Sequence, residues 1–80
     1  MSIKEQQCLL AIVDAAIKTP DNFVVRVELP VDSQDERNKI AHSLKQQGYI
    51  SRLNPMGQNA LGCQVEDKAL AYALKYYEKG

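Results

Sequence analysis

The chain is poor in the residues on which metal sites and disulfide scaffolds depend. Its 80 residues include two cysteines and one histidine. Cys8 and Cys63 lie far apart and lack C-x-x-C spacing, so neither a zinc site nor a disulfide framework is indicated. His42 has no second histidine or carboxylate at ligand spacing, so metal or triad chemistry would need partners from distant parts of the chain. We expect two reduced, buried thiols, an exposed histidine, and no metal or cofactor.

Long hydrophobic runs and catalytic motifs are also missing. The longest apolar stretch, CLLAIVDAAI, is interrupted by Asp14 and is too short to span a bilayer or serve as a signal peptide. We therefore expect a cytoplasmic protein with no membrane partner. There is no glycine-rich phosphate loop and no paired-carboxylate constellation, and the chain is short for a substrate pocket. These absences favour a non-enzymatic protein with no small-molecule substrate.

What the chain does contain is an ordinary globular composition, with 45% hydrophobic and 25% charged residues. Its length suits one domain, residues 1–80. A domain of this size buries only about 60% of the surface of its unfolded chain. We expect a stability of a few kcal/mol, which dimerisation would increase.

Hydrophobic periodicity predicts a helix and then a strand in the first part of the chain. Residues 2–18 carry an apolar stripe at helical spacing. Residues 22–29 alternate between apolar and polar sides and are rich in β-branched residues, which is typical of a half-buried strand. The residues expected to face the core are Leu9, Ile12, Val13, Ala16 and Ile17 in the helix, and Phe23, Val25, Val27 and Leu29 in the strand.

A second helix, over residues 34–47, has the clearest boundary signals in the chain. Ser33 and Glu36 match the S-x-x-E capping box, in which the serine oxygen accepts a backbone N–H and the glutamate reaches back. Gly48 is placed to take the left-handed conformation that closes a helix. The inward stripe of this helix consists of Ile40, Ala41 and Leu44.

The rest of the chain predicts a hairpin and a third helix. YISRL and ALGCQV are short extended runs, and residues 54–57 between them have the preferences of a β-turn. Residues 67–79 form a helix behind an Asp67 cap. The predicted fold is a small single α+β domain with the order α-β-α-β-β-α and a three-stranded antiparallel sheet. The inward face of the third helix is expected to carry Leu70, Ala73, Leu74 and Tyr77.

Part of this pattern resembles the winged-helix families. The second helix ends in LKQQGYI, a hairpin with a Pro/Gly-bearing tip follows, and the chain then reads VEDKALAYAL. In those families a helix ends in a Gly-Tyr/Leu-Ile turn into the first wing strand, and the chain after the wing often reads like TDKGRAYL. The similarity covers residues 34–76. It implies a winged-helix-like, DNA-binding fold that often dimerises through the helices flanking the motif.

The chain departs from that family at one place. A winged-helix domain usually has another short helix and a turn between its first strand and its recognition helix. Here residues 30–33 lead almost directly from strand to helix. Either the helix-turn-helix is truncated, or the fold is a different small α+β arrangement.

Residues 37–65 carry the candidate nucleic-acid-binding surface. This segment contains four Lys or Arg residues and no Asp or Glu, whereas the whole chain has ten of each sign. The side of the second helix opposite its apolar stripe combines amides that can pair with adenine and lysines that can bind guanine or phosphate. A hairpin arginine would add a backbone contact. The candidate residues are Asn38, Lys39, His42, Lys45, Gln46 and Arg52.

Other interpretations of these surfaces stay open. Four basic residues are few beside the roughly six to ten phosphate contacts of strong DNA binders, so the helix face can equally be solvated surface. Asp35 and Glu36 also make the leading end of that helix acidic, where recognition helices usually contact bases. Tyr72, Tyr76 and Tyr77 widen the apolar stripe of the third helix, and tyrosine is enriched in interface cores. The expected partner is therefore either DNA or, without any nucleic-acid role, a partner protein or second copy bound through Tyr72 and Tyr76.

Overall fold

The computed structural model describes residues 1–19 and 24–79 and has the predicted α+β architecture. Three helices and a three-stranded antiparallel sheet follow one another in the order α-β-α-β-β-α. Phe23 and the predicted first residue of the first strand lie outside the described residues. The elements are α1 (Ile3–Lys18), β1 (Val24–Glu28), α2 (Gln34–Gln46), β2 (Ile50–Met56), β3 (Ala60–Val65) and α3 (Asp67–Lys79).

Serine caps begin the first two helices. Ser2 and Glu5 form a complete capping box at the start of α1. At the start of α2 the Ser33 hydroxyl accepts the Glu36 N–H at 3.1 Å, as predicted. The Glu36 carboxylate, however, accepts the N–H of Asp32 at 2.9 Å instead of that of Ser33. The second bond of the predicted box is thus moved one residue towards the N-terminus.

The end of α2 follows the predicted glycine signal. Gly48 has φ +85. Its N–H donates to the carbonyl of Lys45, and the next N–H, of Tyr49, donates to the carbonyl of Leu44. These two bonds make up a Schellman motif, which satisfies carbonyls that the end of a helix otherwise leaves free. The motif turns the chain directly into β2.

The sheet has the order β1-β3-β2, so the last strand lies in the middle. Both neighbours pair with it antiparallel. All three helices lie against one another or against this sheet, with α1 on β1 and β3 and α2 on β2. The strand residues that face the helices are buried or, like Val27, partly buried, whereas Val24, Arg26 and Glu28 on the other side of β1 are exposed. Within the described residues, the helices lie on one face of the sheet, and we call the other face its open side.

The core lies between the helices and the inner face of the sheet. The stripes predicted for α1 and α2 are buried there, apart from Ile17, and the central strand contributes Leu61, Cys63 and Val65. Ile17 is 65% exposed, so its predicted place in the core is wrong. It lies in the last turn of α1, one residue before the helix ends at Lys18.

The face that α3 presents to the core also differs from the prediction. Ala69 and Ala73 are buried, whereas Leu74 is 61% and Tyr77 58% exposed. Ala69 and Ala73 are one helical turn apart, and their small side chains let the helix approach its neighbours closely. Leu70 is only partly buried beside them. The helix is thus rotated from the predicted orientation. Asp67 is its first residue instead of the cap before it.

The hairpin turn lies later in the chain than predicted. β2 continues through Asn54 and Pro55 to Met56, and the turn is formed by residues 57–59. Pro55 can belong to this strand because β2 is at the edge of the sheet, where a missing N–H costs no ladder bond. Gly57 has φ +57, a conformation that glycine adopts without steric cost.

Within the described residues, none of the helices has the length and the apolar character needed to cross a membrane.

Candidate nucleic-acid interface

The exposed face of α2 brings together five of the six predicted site residues. Successive residues of an α-helix are rotated by about 100°, so these five lie on the side away from Ile40 and Leu44. Each of them is exposed to solvent. The face consists of Asn38, Lys39, His42, Lys45 and Gln46. We call this set the α2 face.

Arg37 is also one of the four cations of residues 37–65, but it does not lie on the α2 face. It is only 4% exposed, and it is the one buried polar or charged residue of the described chain. Its Nη1 donates to the carbonyls of Met56 at 2.9 Å, Gly57 at 2.7 Å and Ala60 at 3.3 Å. The guanidinium therefore binds backbone oxygens of the hairpin turn, and only three cations of the segment remain available to a partner.

The spacing of the sequence is enough to predict the buried position of Arg37, which was not among the expected core residues. Arg37 precedes Ile40, Ala41 and Leu44 by three, four and seven residues, which is the spacing of one helix face. It therefore continues the buried stripe by one turn. A charged residue in such a position is buried only when its donors are satisfied, and here the hairpin turn supplies the acceptors.

The contacts of Arg37 fix the hairpin relative to α2. The side chain begins on the first turn of the helix and ends on the three carbonyls around the turn of the hairpin. A planar guanidinium holds several acceptors in a defined geometry. Arg37 consequently anchors the hairpin turn to the first turn of α2.

Arg52, the sixth predicted residue, lies on a different surface. Between Ser51 and Asn54 the β2 strand has one residue more than β3, which is a β-bulge. Arg52 occupies this bulge with φ +53. Bulges redirect side chains, and a left-handed conformation costs a non-glycine residue about 1–2 kcal/mol. Arg52 lines the open side of the sheet, and is thereby separated from the α2 face.

The open side of the sheet has a second arginine, Arg26, which was not among the predicted site residues. Arg26 of β1 and Arg52 of β2 line one hollow of about 440 Å³. Gly62 lies between their strands and is paired with Arg26 and with Asn54. A glycine in a central strand leaves a depression. The alternation of β1 predicted that Arg26 faces away from the core. Its proximity to Arg52 could not be predicted in this way, because it depends on how the strands pair.

The cations on both surfaces are free of strong intramolecular partners. Among the residues that the structure describes, the only salt bridge joins Lys18 to Asp14 at 2.9 Å. Lys39, Lys45 and Arg52 therefore make no ion pair within that part of the chain. The carboxylates nearest to the α2 face along the chain are those of Asp35 and Glu36, in the first turn of the helix.

The tyrosines of α3 have different surroundings. Tyr72 is partly buried, its hydroxyl accepts a hydrogen bond from Gln6 Nε2 at 2.8 Å, and its ring meets that of Tyr49 edge to face at 5.7 Å. Tyr76 is 43% exposed and stacks edge to face on Tyr77 at 5.5 Å. Tyr72 is thus fixed in the fold, whereas Tyr76 and Tyr77 form an exposed aromatic pair, and Leu74 is exposed about one helical turn before Tyr77.

The two thiols are buried and unpaired, as predicted. Burial raises the pKa of both Cys8 and Cys63 to about 11. A thiol is nucleophilic as its thiolate, and these two stay protonated near neutral pH. In the described part of the chain, no group of three histidine, cysteine or carboxylate side chains is placed to hold a metal ion.

One carboxylate is perturbed where α1 meets α2. The Ser43 hydroxyl and the Ser2 backbone N–H donate to the Glu5 carboxylate, and the Ser2 hydroxyl accepts the backbone N–H of Glu5. These bonds hold the pKa of Glu5 below its ordinary value, with the bond from Ser43 as the main cause. The bond from Ser43 links α2 to α1, whereas the bonds of Ser2 belong to the capping box of α1, so all three have a structural role.

Comparison of the chain with protein-family models, curated proteins and solved structures found no significant match. The functional proposal therefore rests on these residues and their geometry.

Proposed function

We propose that the protein is a small, non-enzymatic, winged-helix-like module that binds nucleic acid through α2 and the β2–β3 hairpin. The observation that carries the proposal is the α2 face, where two lysines, two amides and an imidazole are exposed together on a helix whose Arg37 binds the turn of the hairpin. The cytoplasmic location expected from the sequence belongs to the same proposal.

The chemistry of the α2 face suits a duplex. The major groove of B-DNA is about 12 Å wide and admits an α-helix. Lys39 and Lys45 can neutralise phosphates, and an amide such as that of Gln46 can reach base edges. Asp35 at the start of α2 would meet the phosphates unfavourably. The middle of the helix, not its N-terminal end, is therefore the part that enters the groove.

The number of cations that are available to contact phosphates determines the expected affinity for DNA. Each phosphate contact adds about 0.9 to the slope of log K against log salt concentration. Two lysines on the α2 face give a slope of about −2. Binding is therefore weak at physiological salt for a single copy, and a dimer would double the contacts.

The test is to neutralise the two lysines together. We expect Lys39→Gln/Lys45→Gln to reduce the salt slope by about 2 and to weaken binding to every duplex alike. The matched control is Lys18→Gln/Lys75→Gln, which removes the same charge from exposed positions on α1 and α3. Fluorescence anisotropy over a series of salt concentrations measures both. Unchanged affinity and slope in the first variant would refute the proposal.

Arg52 requires a separate variant because it lies on the open side of the sheet. Arg52→Gln should reduce the salt slope only if the duplex also reaches the sheet. Arg26→Gln, on the same hollow, should then have a similar effect. If neither changes the slope, the interface is confined to the α2 face.

A second candidate function is protein association through α3 with no nucleic-acid role. It is favoured by the exposure of Leu74, Tyr76 and Tyr77, since large apolar groups clustered on a surface mark interaction sites. We expect Leu74→Ser/Tyr77→Ser to lower the self-association measured by sedimentation equilibrium, with little dependence on salt. Tyr76→Ser should act in the same direction. A wild-type protein that stays monomeric at high concentration would exclude the homodimer.

A further inference from the structure

A small hollow lies between α2 and the hairpin, at the edge of the α2 face. Its volume is about 220 Å³. Small-molecule sites usually measure about 300–1,000 Å³, so this hollow is of a size to take part of a ligand, such as the edge of one base. Two polar side chains of α2 line it together with apolar ones of α2, β2 and β3. The lining residues are Asn38, His42, Ala41, Leu53, Pro55 and Leu61.

The hydrogen bonds of Arg37 determine what Asn38 can offer in this hollow. Nε and Nη2 of the guanidinium both donate to Asn38 Oδ1 at 3.2 Å. A guanidinium has only donors, so the amide atom that faces it must be the oxygen. An amide oxygen has two lone pairs, and both are used. The group left to Asn38 for a ligand is its NH₂, which only donates.

This orientation selects among the bases. Bidentate recognition of adenine needs both the amide oxygen and the amide nitrogen, and the oxygen of Asn38 is already engaged. Thymine is the base that presents, on its major-groove edge, an acceptor (O4) beside a methyl group. The donor of Asn38 suits O4, and the apolar floor formed by Leu53, Pro55 and Leu61 suits the methyl group.

We propose that this hollow is a thymine-reading subsite, in which Asn38 Nδ2 donates to O4 and the 5-methyl group occupies the space between α2 and β2. Arg37 is then a positioning residue, since it fixes the Asn38 amide without touching the base. The inference rests on the proposed function and adds a base preference to it.

Three duplexes of equal length distinguish the hydrogen bond to O4 from the contact with the methyl group. One alternates A and T, the second has uracil in place of thymine, and the third has G paired with 5-methylcytosine. Uracil keeps O4 and lacks the methyl group. 5-Methylcytosine keeps the methyl group but has an N4 amine, a donor, where thymine has O4.

We expect the A·U duplex to bind about fourfold more weakly than the A·T duplex for each methyl group contacted. The G·5-methylcytosine duplex should bind at least as weakly as the A·U duplex. Equal affinity for A·T and A·U overturns the methyl contact, and equal affinity for A·T and G·5-methylcytosine overturns the role of Asn38. Binding to all three alike leaves the proposed function standing without this subsite, whereas no binding to any at low salt removes both.

A variant of Asn38 tests the assignment from the protein side. Asn38→Asp keeps an oxygen for Arg37 and replaces the NH₂ donor by a second acceptor. It should abolish the preference for A·T over G·5-methylcytosine. Gln34→Glu is the matched control, because it makes the same amide-to-carboxylate change at an exposed position of α2 that does not line the hollow. It should keep the preference. A preference that persists in Asn38→Asp overturns the assignment.

Discussion

Replacing Arg37 by methionine tests the role of the residue that joins α2 to the hairpin. Methionine keeps an unbranched apolar side chain of similar length and removes every donor. The carbonyls of Met56, Gly57 and Ala60 then lose the guanidinium that they share. Their surroundings decide the cost. Gly57 is exposed, so water can replace the donor there, whereas Met56 and Ala60 are partly buried.

The magnitude follows from these bonds. Hydrogen bonds that involve a charged group contribute about 1.5–3 kcal/mol each, and a buried acceptor left without a donor costs about 1–3 kcal/mol. The buried guanidinium carries a desolvation penalty, and it has no carboxylate partner to offset that penalty. Replacing it by an apolar side chain removes the penalty, which compensates for part of the lost hydrogen-bond energy. We expect a net loss of about 2 kcal/mol. A chain of this length has a total stability of about 4–12 kcal/mol, so the loss is about a sixth to a half of it.

Urea unfolding followed by circular dichroism measures the effect. A slope of about 1–2 kcal/mol per M converts the loss into a fall of the midpoint by about 1–2 M. Lys39→Met is the matched control, since it makes a similar change two residues away on the exposed side of the helix, where the effect should stay within about 0.5 kcal/mol. A midpoint of Arg37→Met equal to that of Lys39→Met would refute the structural role of Arg37.

Three further predictions concern the backbone, a carboxylate and the thiols. Gly48→Ala should lower the free energy of unfolding by about 1 kcal/mol, because φ there is +85 and an added Cβ meets only Lys68 Cδ at 3.8 Å, so the cost is backbone strain and not collision. The pKa of Glu5 is lower in the folded than in the unfolded chain. Its stabilising contribution is therefore present above the unfolded value near 4.5 and is lost as the pH falls through the lower folded value. Ser43→Ala should raise the pKa of Glu5 in an NMR titration, and an unchanged pKa would contradict the assigned cause. Since burial raises the pKa of both thiols to about 11, Cys8 and Cys63 should react slowly with a disulfide reagent in the native protein and rapidly in urea, and rapid native reaction would show that they are accessible.

The parts of the fold that were predictable depend on local signals. The serine at the start of α2 and the glycine at its end act through bonds to residues within a few positions, so sequence alone locates the helix. The alternation of β1 likewise needs only its own residues. The exposure of the α2 face follows from the position of its apolar stripe.

The parts that were missed depend on distant residues. Ala73 of α3 is buried as predicted, but Leu74 and Tyr77, which were predicted to lie beside it, are exposed. Which of these residues is buried depends on how α3 packs against α1, and helical periodicity does not contain that information. The direction of Arg52 is set by a bulge, and a bulge is defined by the register of β2 against β3. Arg37 lies at an ordinary position of the buried stripe of α2, but the carbonyls that accept its hydrogen bonds belong to a turn about twenty residues later in the chain.

The most direct test of the central claim is an NMR amide-shift titration of the protein with a DNA duplex, at low and then at moderate salt. The proposal predicts shifts clustered on the α2 face and on the hairpin, which diminish as salt is raised. A flat response, or shifts confined to the exposed residues of α3, would contradict nucleic-acid binding through α2.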